Sequence, residues 1–310
     1  MHSTPGIDHD PAVTSFTVLN VRVDAVQIPD AIDRIEWWIR NRSRCRYVAV
    51  TGMHGVTEAQ HDYDLTRVLN AADLVVPDGM PLVWIGRLRG HRLRRRVYGP
   101  ELMLSFCQAT ASKGYRHFLY GGSPEVCDRL SETLRQRFHG ISIVGAYSPP
   151  FRPLTLDESS EIVDTINRAA PDVVWVGLST PKQERWMHEY RSRLRVPVLV
   201  GVGAAFDINS GTKKQAPEWM REHGFEWLFR LIQEPRRLWR RYLVCGSQFV
   251  FLVAMEFLGV RRPDLSRSGG LPPRRSAAVT LTPSHPEIGG DTQQRLKKPS
   301  AIAEPRSRAS

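Results

Sequence analysis

Short apolar runs alternate with amphipathic segments of helical period from residue 16 to residue 203, and this alternation limits the possible folds more than any other feature of the chain. The apolar runs are FTVLNVRV, RYVAVTG, LVVPDG, HFLYGG, ISIVGAYSP, VVWVGLS and VPVLVGVG. Short apolar strands separated by amphipathic helices are typical of parallel βαβ units, in which helices cover both faces of the sheet. We therefore predict an α/β fold with a Rossmann-like parallel sheet.

Composition divides the chain into four parts. Residues 1–15 lack the cationic start and apolar core of a secretory signal, and we predict that they are disordered. Residues 16–205 form the predicted α/β core, and residues 206–260 form a helical appendage that is rich in arginine and aromatic residues. Residues 261–310 are rich in Pro, Gly, Ser and Arg without an apolar period, which predicts a disordered basic tail.

The net charge of +11 is concentrated near the C-terminal end of the chain. The predicted tail holds ten Lys and Arg residues against four Asp and Glu residues, so more than half of the excess positive charge lies there. Net charge alone is therefore a poor reason to expect a nucleic-acid partner, and we predict none.

No sequence signature of a metal site is present. The four cysteines are scattered without CxxC or Cys/His spacing, which predicts neither a disulfide framework nor a zinc site and favours a reducing cytoplasm. Asp62-Tyr63-Asp64 has the Asp-x-Asp form of some divalent-ion sites. It falls inside a single helix predicted over residues 55–72, where residues two apart do not share a face. We therefore predict no metal and no cofactor.

Five loops of the predicted sheet are the places to look for a binding site. In open α/β sheets, ligands bind at the carboxyl ends of the strands. Each loop there contains glycine, which lets backbone N–H groups approach an anionic ligand at a helix start. The loops are TGMHG (51–55), PDGM (77–80), YGGSPE (120–125), GLSTPKQE (177–184) and GVGAAFD (201–207).

Three of these loops carry candidate functional groups, and each group also has a plain structural explanation. Asp78 could be a turn residue that caps the next helix or a general base at a strand end. Gly121 and Gly122 could cradle a diphosphate through backbone N–H groups or could only form a connection. Gln183 follows Thr180, the predicted N-cap of a helix, and is a neutral donor and acceptor suited to a sugar or a base edge.

Arginine is clustered in two segments. RLRGHRLRRR (87–96) holds six arginines and no acid, and a second group lies in the appendage. These clusters form a solvated face or a surface for a multiply charged ligand or an anionic membrane. The apolar segment over residues 242–258 is shorter than the roughly 20 residues that span a bilayer. It also contains Gln248 and Glu256, so we predict a helix that lies on protein or on a membrane surface.

Seven motifs occur in order along the chain, namely ADLVVPDGMPLVW, RVYGPELM, FLYGGSPE, VWVGLSTPKQERW, VLVGVGAAFD, APEWM and FEWLFRLIQEPRRLWRR. Together they resemble the WecG/TagA/CpsF glycosyltransferases of bacterial surface-polysaccharide synthesis. The resemblance runs from about Phe16 to Arg241. It implies inverting, metal-independent transfer of a sugar from a UDP-sugar to a polyprenyl-diphosphate-linked acceptor, by a cytoplasmic protein at the inner face of the cell membrane. The sugar would be an N-acetylhexosamine, a uronic acid or a hexose.

The resemblance also implies roles for individual residues. Asp78 matches the family's general base, and Thr51 matches a threonine that lines the sugar pocket. Arg96 matches an arginine that holds the donor phosphates, and Gln183 and Asp207 match residues that contact the nucleotide sugar. The matched arginines of the terminal segment, which in the family closes over the site and reaches the membrane, are Arg230, Arg237 and Arg240.

The chain departs from the family pattern near the predicted sugar pocket. The family usually has an asparagine two residues after the matched threonine, whereas this chain has Met53. His54 is a candidate to replace part of the lost hydrogen bonding.

Exposed apolar surface on the appendage could also be covered by a second subunit, which would make the protein a homo-oligomer.

Two other classes of function remain as alternatives. A nucleotide-dependent oxidoreductase would share the βαβ pattern, but GVGAAF has Phe206 where a GxGxxG motif needs its third glycine. A non-enzymatic nucleic-acid or membrane adaptor would use the arginine clusters and would not need Asp78.

Overall fold

The computed structural model describes residues 13–260. The first element is a β-hairpin that forms a two-stranded sheet of its own, separate from the main sheet. Strands β1 (Ser15–Val18) and β2 (Val21–Asp24) pair antiparallel through the two-residue turn Leu19–Asn20. The φ angles of these turn residues are 48° and 67°. Two left-handed residues match the twist of a tight hairpin. The prediction of one strand over FTVLNVRV was therefore wrong, because Asn20 reverses the chain without a glycine.

Six parallel strands form the main sheet in the order β4-β3-β8-β7-β5-β6, which confirms the predicted α/β fold. Every neighbouring pair in this sheet is parallel. The edge strand β4 ends at a proline, which an edge tolerates. The strands are β3 (Arg46–Thr51), β4 (Leu74–Pro77), β5 (Arg116–Gly121), β6 (Ser142–Tyr147), β7 (Val173–Gly177) and β8 (Val198–Gly201).

Helices pack around the sheet, and the helices and the sheet together enclose two apolar clusters. Because successive strand side chains point to opposite faces, Val48 and Val50 pack in one cluster and Tyr47 and Ala49 in the other. The helices of this part are α1 (Ile28–Asn41), α2 (Met53–Glu58), α3 (Tyr63–Asn70), α4 (Met80–Leu88), α5 (Gly99–Thr110), α6 (Pro124–Arg137), α7 (Leu156–Ala169), α8 (Lys182–Tyr190) and α9 (Ala205–Asn209).

Two helices occupy the segment that was predicted as one helix over residues 55–72. The chain breaks between α2 and α3, where the Asp62 carboxylate accepts a hydrogen bond from the Leu65 N–H at 2.9 Å and caps α3. Asp62 also pairs with Arg185. The Asp-x-Asp sequence is therefore a helix start, and the reason for discounting it as a helix interior was wrong.

The C-terminal appendage consists of short helices that pack on the core. They are α10 (Glu218–Glu222), α11 (Glu226–Gln233), α12 (Pro235–Trp239), a π-helical turn (Arg240–Val244) and α13 (Cys245–Phe257). Phe249 of α13 is 3% exposed. Glu256 of the same helix pairs with Arg89 and accepts a hydrogen bond from the Leu19 N–H at 2.9 Å. The acid in this apolar segment thus joins α13 to the hairpin turn and α4.

Within residues 13–260, no helix has both the length and the apolar character to cross a membrane. The predicted disordered N-terminal segment, residues 1–15, falls mainly on residues 1–12, which lie outside the described residues. Its last residue, Ser15, is the first residue of β1. The predicted disordered tail, residues 261–310, also lies outside the described residues.

Candidate active site

A cavity of about 940 Å³ opens at the carboxyl ends of the parallel strands, where the topology predicts a ligand. The loops after β4, β5, β7 and β8 form one wall, and α11 and α12 of the appendage form another. Six residues singled out in the sequence line the cavity, namely Asp78, Gly122, Gln183, Asp207, Arg230 and Arg237. The other five, which are Thr51, His54, Arg96, Gly121 and Arg240, are not part of this lining.

Asp78 is not the cap of the helix that follows it. The N-cap position of α4 is Gly79, whose φ of 105° is in the left-handed region that favours glycine. The Asp78 backbone N–H donates to the Thr51 carbonyl at 2.9 Å, which fixes the residue beside the end of β3. No other residue in the described range donates a hydrogen bond to its carboxylate. The carboxylate is therefore free to interact with a ligand in the cavity.

Burial has a larger effect on the pKa of Asp78 than the charged side chains around it. Burial raises the pKa of Asp78 above its usual value. Arg96 and Arg230 act to lower this pKa, and Glu226 acts to raise it. A carboxyl group with a raised pKa is a stronger base when ionised, as a general base requires.

The backbone at Gly52 lies so close to the Asp78 backbone that there is no room for a side chain at position 52. A Cβ on Gly52 would lie 2.5 Å from the Asp78 carbonyl oxygen. We expect Gly52→Ala to push the Asp78 loop away from β3, and thermal unfolding should show a loss of about 1–3 kcal/mol, the usual cost of overpacking. Turnover should fall as well. The matched control is Gly246→Ala in α13, where the added Cβ meets Met53 at an ordinary 3.5 Å; equal effects of the two variants would contradict the prediction.

Glu226 of α11 joins the appendage to the core below Asp78. Its buried carboxylate pairs with Arg96, accepts from the Tyr98 hydroxyl at 2.8 Å and pairs with Arg230 at 2.9 Å. Burial acts to raise the pKa of Glu226, but Arg230 and Arg96 outweigh it and hold the pKa below its usual value. Sequence reasoning missed this acid, because no local pattern distinguishes it from other acids of an amphipathic helix.

Arg96 and Arg230 differ in what they can reach. The Arg96 guanidinium pairs with Glu226 and lies 4.1 Å from the centre of the Tyr98 ring, away from the cavity wall. Arg230 donates to the Tyr98 hydroxyl at 3.0 Å and lines the cavity. Arg230 can therefore contact a ligand directly, whereas Arg96 orients Glu226 and contributes charge.

Gln183 is a buried connector between two of the cavity loops. It accepts from the Gly203 N–H at 2.9 Å and donates to Glu184 at 3.0 Å. The Thr180 hydroxyl also donates to Glu184, at 2.9 Å, while Pro181 occupies the N-cap position of α8. The prediction that Thr180 caps this helix was therefore wrong, because its hydroxyl is used by the buried Glu184.

Close backbone packing explains the two glycines at the end of β5, Gly121 and Gly122. Gly121 has a φ of 130°, and a Cβ there would lie 2.6 Å from the Gly177 carbonyl carbon. The Gly122 N–H donates to the Gly177 carbonyl at 3.3 Å. These contacts join the loops after β5 and β7, which use the glycines for packing within the protein.

Thr51 and His54 lie behind the cavity wall. Thr51 is 1% exposed, and its hydroxyl has no hydrogen-bond partner within the described part of the chain. His54 is the second residue of α2, and its Nδ1 lies 3.8 Å from a Glu58 oxygen. Burial and Arg241 lower the pKa of His54 to about 4, so its ring is neutral near pH 7.

The mouth of the cavity is cationic. Lys213 pairs with Asp207 at 2.9 Å and with Glu234 at 3.3 Å, and Arg237 pairs with the same glutamate. These pairs join α9 to the appendage. Sequence reasoning did not assign Arg241 to the site, although it lines the cavity. The cationic residues of the lining near the appendage are Lys213, Lys214, Arg230, Arg237 and Arg241.

The structure defines an α/β protein with a cavity at the ends of its parallel strands, where the lining includes the Asp78 carboxylate and several cationic side chains of the appendage. The family model described as the "Glycosyl transferase WecG/TagA/CpsF family" matches residues 16–263, and the chain belongs to this family. The protein is a glycosyltransferase, which confirms the resemblance seen in its motifs and leaves the oxidoreductase and adaptor alternatives without support.

Curated relatives share one described activity, N-acetylglucosaminyldiphosphoundecaprenol N-acetyl-beta-D-mannosaminyltransferase. The Bacillus spizizenii protein is 36% identical over 186 residues, which are 60% of this chain and 70% of the relative. The Bacillus subtilis protein is 34% identical over 182 residues, or 59% and 69% of the two chains. A Staphylococcus aureus protein is 27% identical over 224 residues, or 72% and 86%.

Proposed function

We propose that this glycosyltransferase moves an N-acetylhexosamine, or a closely related uronic acid or hexose, from a UDP-sugar to a polyprenyl-diphosphate-linked glycan, with inversion at the anomeric carbon. The names of the curated relatives describe an acceptor of this kind and an N-acetyl-mannosaminyl group. The observation that carries the mechanism is the Asp78 carboxylate, which lines the cavity and serves no capping role.

Asp78 acts as the general base in this mechanism. An acceptor hydroxyl oxygen attacks C1 of the donor sugar and forms the new glycosidic bond, while its proton passes to the Asp78 carboxylate. The bond between C1 and the phosphate oxygen breaks, and its electron pair leaves with UDP. Because attack and departure occur on opposite faces of C1, the anomeric configuration inverts. Base catalysis of this kind contributes about 10²–10⁴-fold to the rate.

Cationic side chains stabilise the departing diphosphate without a metal in the chemical step. Arg230, Arg237 and Arg241 approach the cavity from the appendage, and Lys213 and Lys214 lie at its mouth. Positioned cations in a site that excludes water stabilise developing charge as a divalent ion would. Asp207 and Gln183 line the same cavity, and we assign them to the nucleotide sugar. Thr51 supports the sugar end of the pocket from behind the cavity wall, and Arg240 extends the cationic segment.

The appendage also positions the enzyme at the inner face of the cell membrane. Its outer surface combines arginines with exposed apolar side chains, including Trp239 (46% exposed), Leu243 (53%) and Phe251 (62%). Apolar and basic side chains together bind the interface of an anionic bilayer. A second subunit on this surface is the other possible occupant, and light scattering of the lipid-free protein distinguishes a homo-oligomer from a membrane-binding monomer.

UDP release by the purified full-length protein tests the proposal. A panel of UDP-sugars that includes UDP-N-acetylmannosamine is offered with undecaprenyl-diphosphate-linked N-acetylglucosamine in buffer that contains EDTA. We expect release with one donor, only when the acceptor is present. Release that required added Mg²⁺ or Mn²⁺ would contradict the metal-independent mechanism. Failure to bind UDP in a direct calorimetric titration would overturn the assignment of the cavity.

A further inference from the structure

Three side chains with metal-binding groups meet where the appendage packs on α2, outside the substrate cavity. They are His54 and Glu58 of α2 and Cys245, the first residue of α13. One ligand atom from each lies within 4.8 Å of the other two. The His54 Nδ1 lies 3.8 Å from a Glu58 oxygen, and the Cys245 sulfur lies 3.9 Å from that oxygen.

The distance between the His54 ring and the Glu58 carboxylate is too long for an ordinary hydrogen bond, and the Cys245 thiol makes a long hydrogen bond to the same oxygen. The three atoms lie slightly farther apart than three ligands of one ion. Zinc binds nitrogen at about 2.0–2.1 Å, carboxylate oxygen at about 2.0–2.2 Å and sulfur at about 2.3 Å. In a tetrahedral site of those bond lengths, ligand atoms lie about 3.3–3.8 Å apart. Small side-chain rotations would therefore bring the three atoms onto one centre.

The ring nitrogen of His54 gives a second reason to assign a ligand. An i, i+4 His and Glu pair on a helix surface normally forms a hydrogen bond or a solvated ion pair. The His54 Nδ1 instead is buried from solvent and has no hydrogen-bond partner within residues 13–260. A buried ring nitrogen near a carboxylate and a thiol is without a partner in the described part of the chain, and in the tautomer that leaves Nδ1 unprotonated a cation would supply one.

The backbone around the cluster is fixed by packing. The Thr57 hydroxyl donates to the Cys245 carbonyl at 3.5 Å, and Gly246 of α13 lies in ordinary contact with Met53 of α2. Arg241 is the neighbouring positive charge and disfavours a bound cation. Two negative ligands, the Cys245 thiolate and the Glu58 carboxylate, would neutralise a divalent ion and offset that repulsion.

We propose that His54, Glu58 and Cys245 bind a Zn²⁺ ion that fastens the appendage to α2, with water as the fourth ligand. Imidazole, thiolate and carboxylate together favour zinc over the hard ions Mg²⁺ and Ca²⁺. The ion stabilises the closed arrangement, because α2 begins two residues after Thr51 and α13 continues the segment that brings Arg230, Arg237 and Arg241 to the cavity. It takes no part in the chemical step proposed above.

The sequence alone predicts no zinc site, because Cys245 has no nearby cysteine or histidine along the chain. The cysteine and its carboxylate partner are 187 residues apart and meet only in the fold. The reduced thiol that a site of this kind requires agrees with the free state of Cys45, Cys107, Cys127 and Cys245 in the structure.

Metal titration of the full-length protein tests the site directly. After treatment with a chelator under reducing conditions, the protein is titrated with Zn²⁺ against a chromophoric competitor and, separately, with Co²⁺. We expect one tight Zn²⁺ site per chain and a sulfur-to-cobalt charge-transfer band in the near ultraviolet. Cys245→Ser should remove the charge-transfer band. Cys245→Ser and His54→Gln should each weaken Zn²⁺ binding by more than about 100-fold, because the loss of a group that only orients a metal ligand weakens binding by at most about that factor.

Cys45→Ser is the matched control, because this partly buried thiol lies beside Asp73 and Arg191 and outside the cluster. It should leave the affinity and the cobalt band unchanged. Zn²⁺ should also raise the unfolding temperature of the unmodified protein and not that of either cluster variant. Two results would overturn the proposal: absence of a one-to-one site at micromolar Zn²⁺, or binding that is equally tight in folded Cys245→Ser or folded His54→Gln protein.

Discussion

Asp78→Asn is expected to lower the rate of acceptor-dependent sugar transfer by about 10²–10⁴-fold, the usual contribution of a general base. Asparagine has the shape of aspartate but cannot take the proton of an attacking hydroxyl. The fold should survive, because the Asp78 carboxylate neither caps α4 nor accepts a hydrogen bond within the described residues. Its backbone contact with Thr51 is independent of the side chain.

The measurement is the rate of UDP release at saturating donor and acceptor, together with UDP affinity by calorimetry. Affinity should change little, whereas turnover should collapse. Asp64→Asn is the matched control, because that carboxylate is on the exposed surface of α3. It should leave the rate unchanged. A rate for Asp78→Asn within tenfold of the unmodified enzyme would assign the base to another group.

The pH dependence of turnover should report the same carboxylate. Burial raises the pKa of Asp78, so turnover should fall on the acid side at a pH above the usual range of an aspartate. The sign follows from the mechanism, because the base is active only when ionised and is lost as the pH drops through its raised pKa. An acid limb that persisted unchanged in the residual activity of Asp78→Asn would have a different origin.

The parallel sheet was predictable because its signal is local. Each strand is a short apolar run and each following helix has its own period, so the order of elements is readable without knowing any long-range contact. The hairpin was not predicted, since Leu19 and Asn20 form a left-handed turn without the glycine that usually marks one. The break before α3 was missed because Asp62 acts as a cap within a segment of continuous helical propensity.

The parts of the site that follow from topology were also predictable. Asp78, Gly122 and Gln183 were singled out as residues of strand-end loops, Asp207 was singled out by the family resemblance, and all four line the cavity. The direct contacts of these side chains were not predictable. Gln183 was expected to face a ligand, yet its amide joins Gly203 to Glu184 and is nearly buried.

The contacts of the appendage depend on pairs far apart in the chain. Arg96 and Glu226 are 130 residues apart, and no local sequence pattern indicates that they form a pair. The family resemblance implied that Arg96 holds the donor phosphates, whereas in the structure its guanidinium pairs with Glu226. Such pairings follow from tertiary packing, which the periodicity of single elements does not encode.

Glu226→Gln is expected to loosen the appendage and destabilise the protein by about 3–5 kcal/mol, the cost of removing one partner of a buried ion pair. Glutamine keeps the size of the side chain and can still accept from the Tyr98 hydroxyl. It removes the negative charge that faces Arg96 and Arg230, both largely buried, with side-chain exposures of 14% and 25%. Hydrogen exchange of α11 and α12, limited proteolysis and denaturant unfolding measure the effect.

Glu234→Gln is the matched control for the loss of an acid in the same appendage. Its carboxylate also pairs with two cations, Lys213 and Arg237, but it is 32% exposed, and exposed pairs contribute about 0–1 kcal/mol. If the buried ion pairs of Glu226 hold the appendage closed, hydrogen exchange in α11 should rise far more in Glu226→Gln than in Glu234→Gln. Donor affinity should also fall in Glu226→Gln, because Arg230 loses the carboxylate that positions it. Equal exchange in the two variants would mean that apolar contacts, such as the packing of Phe249, hold the appendage in place without the buried charge.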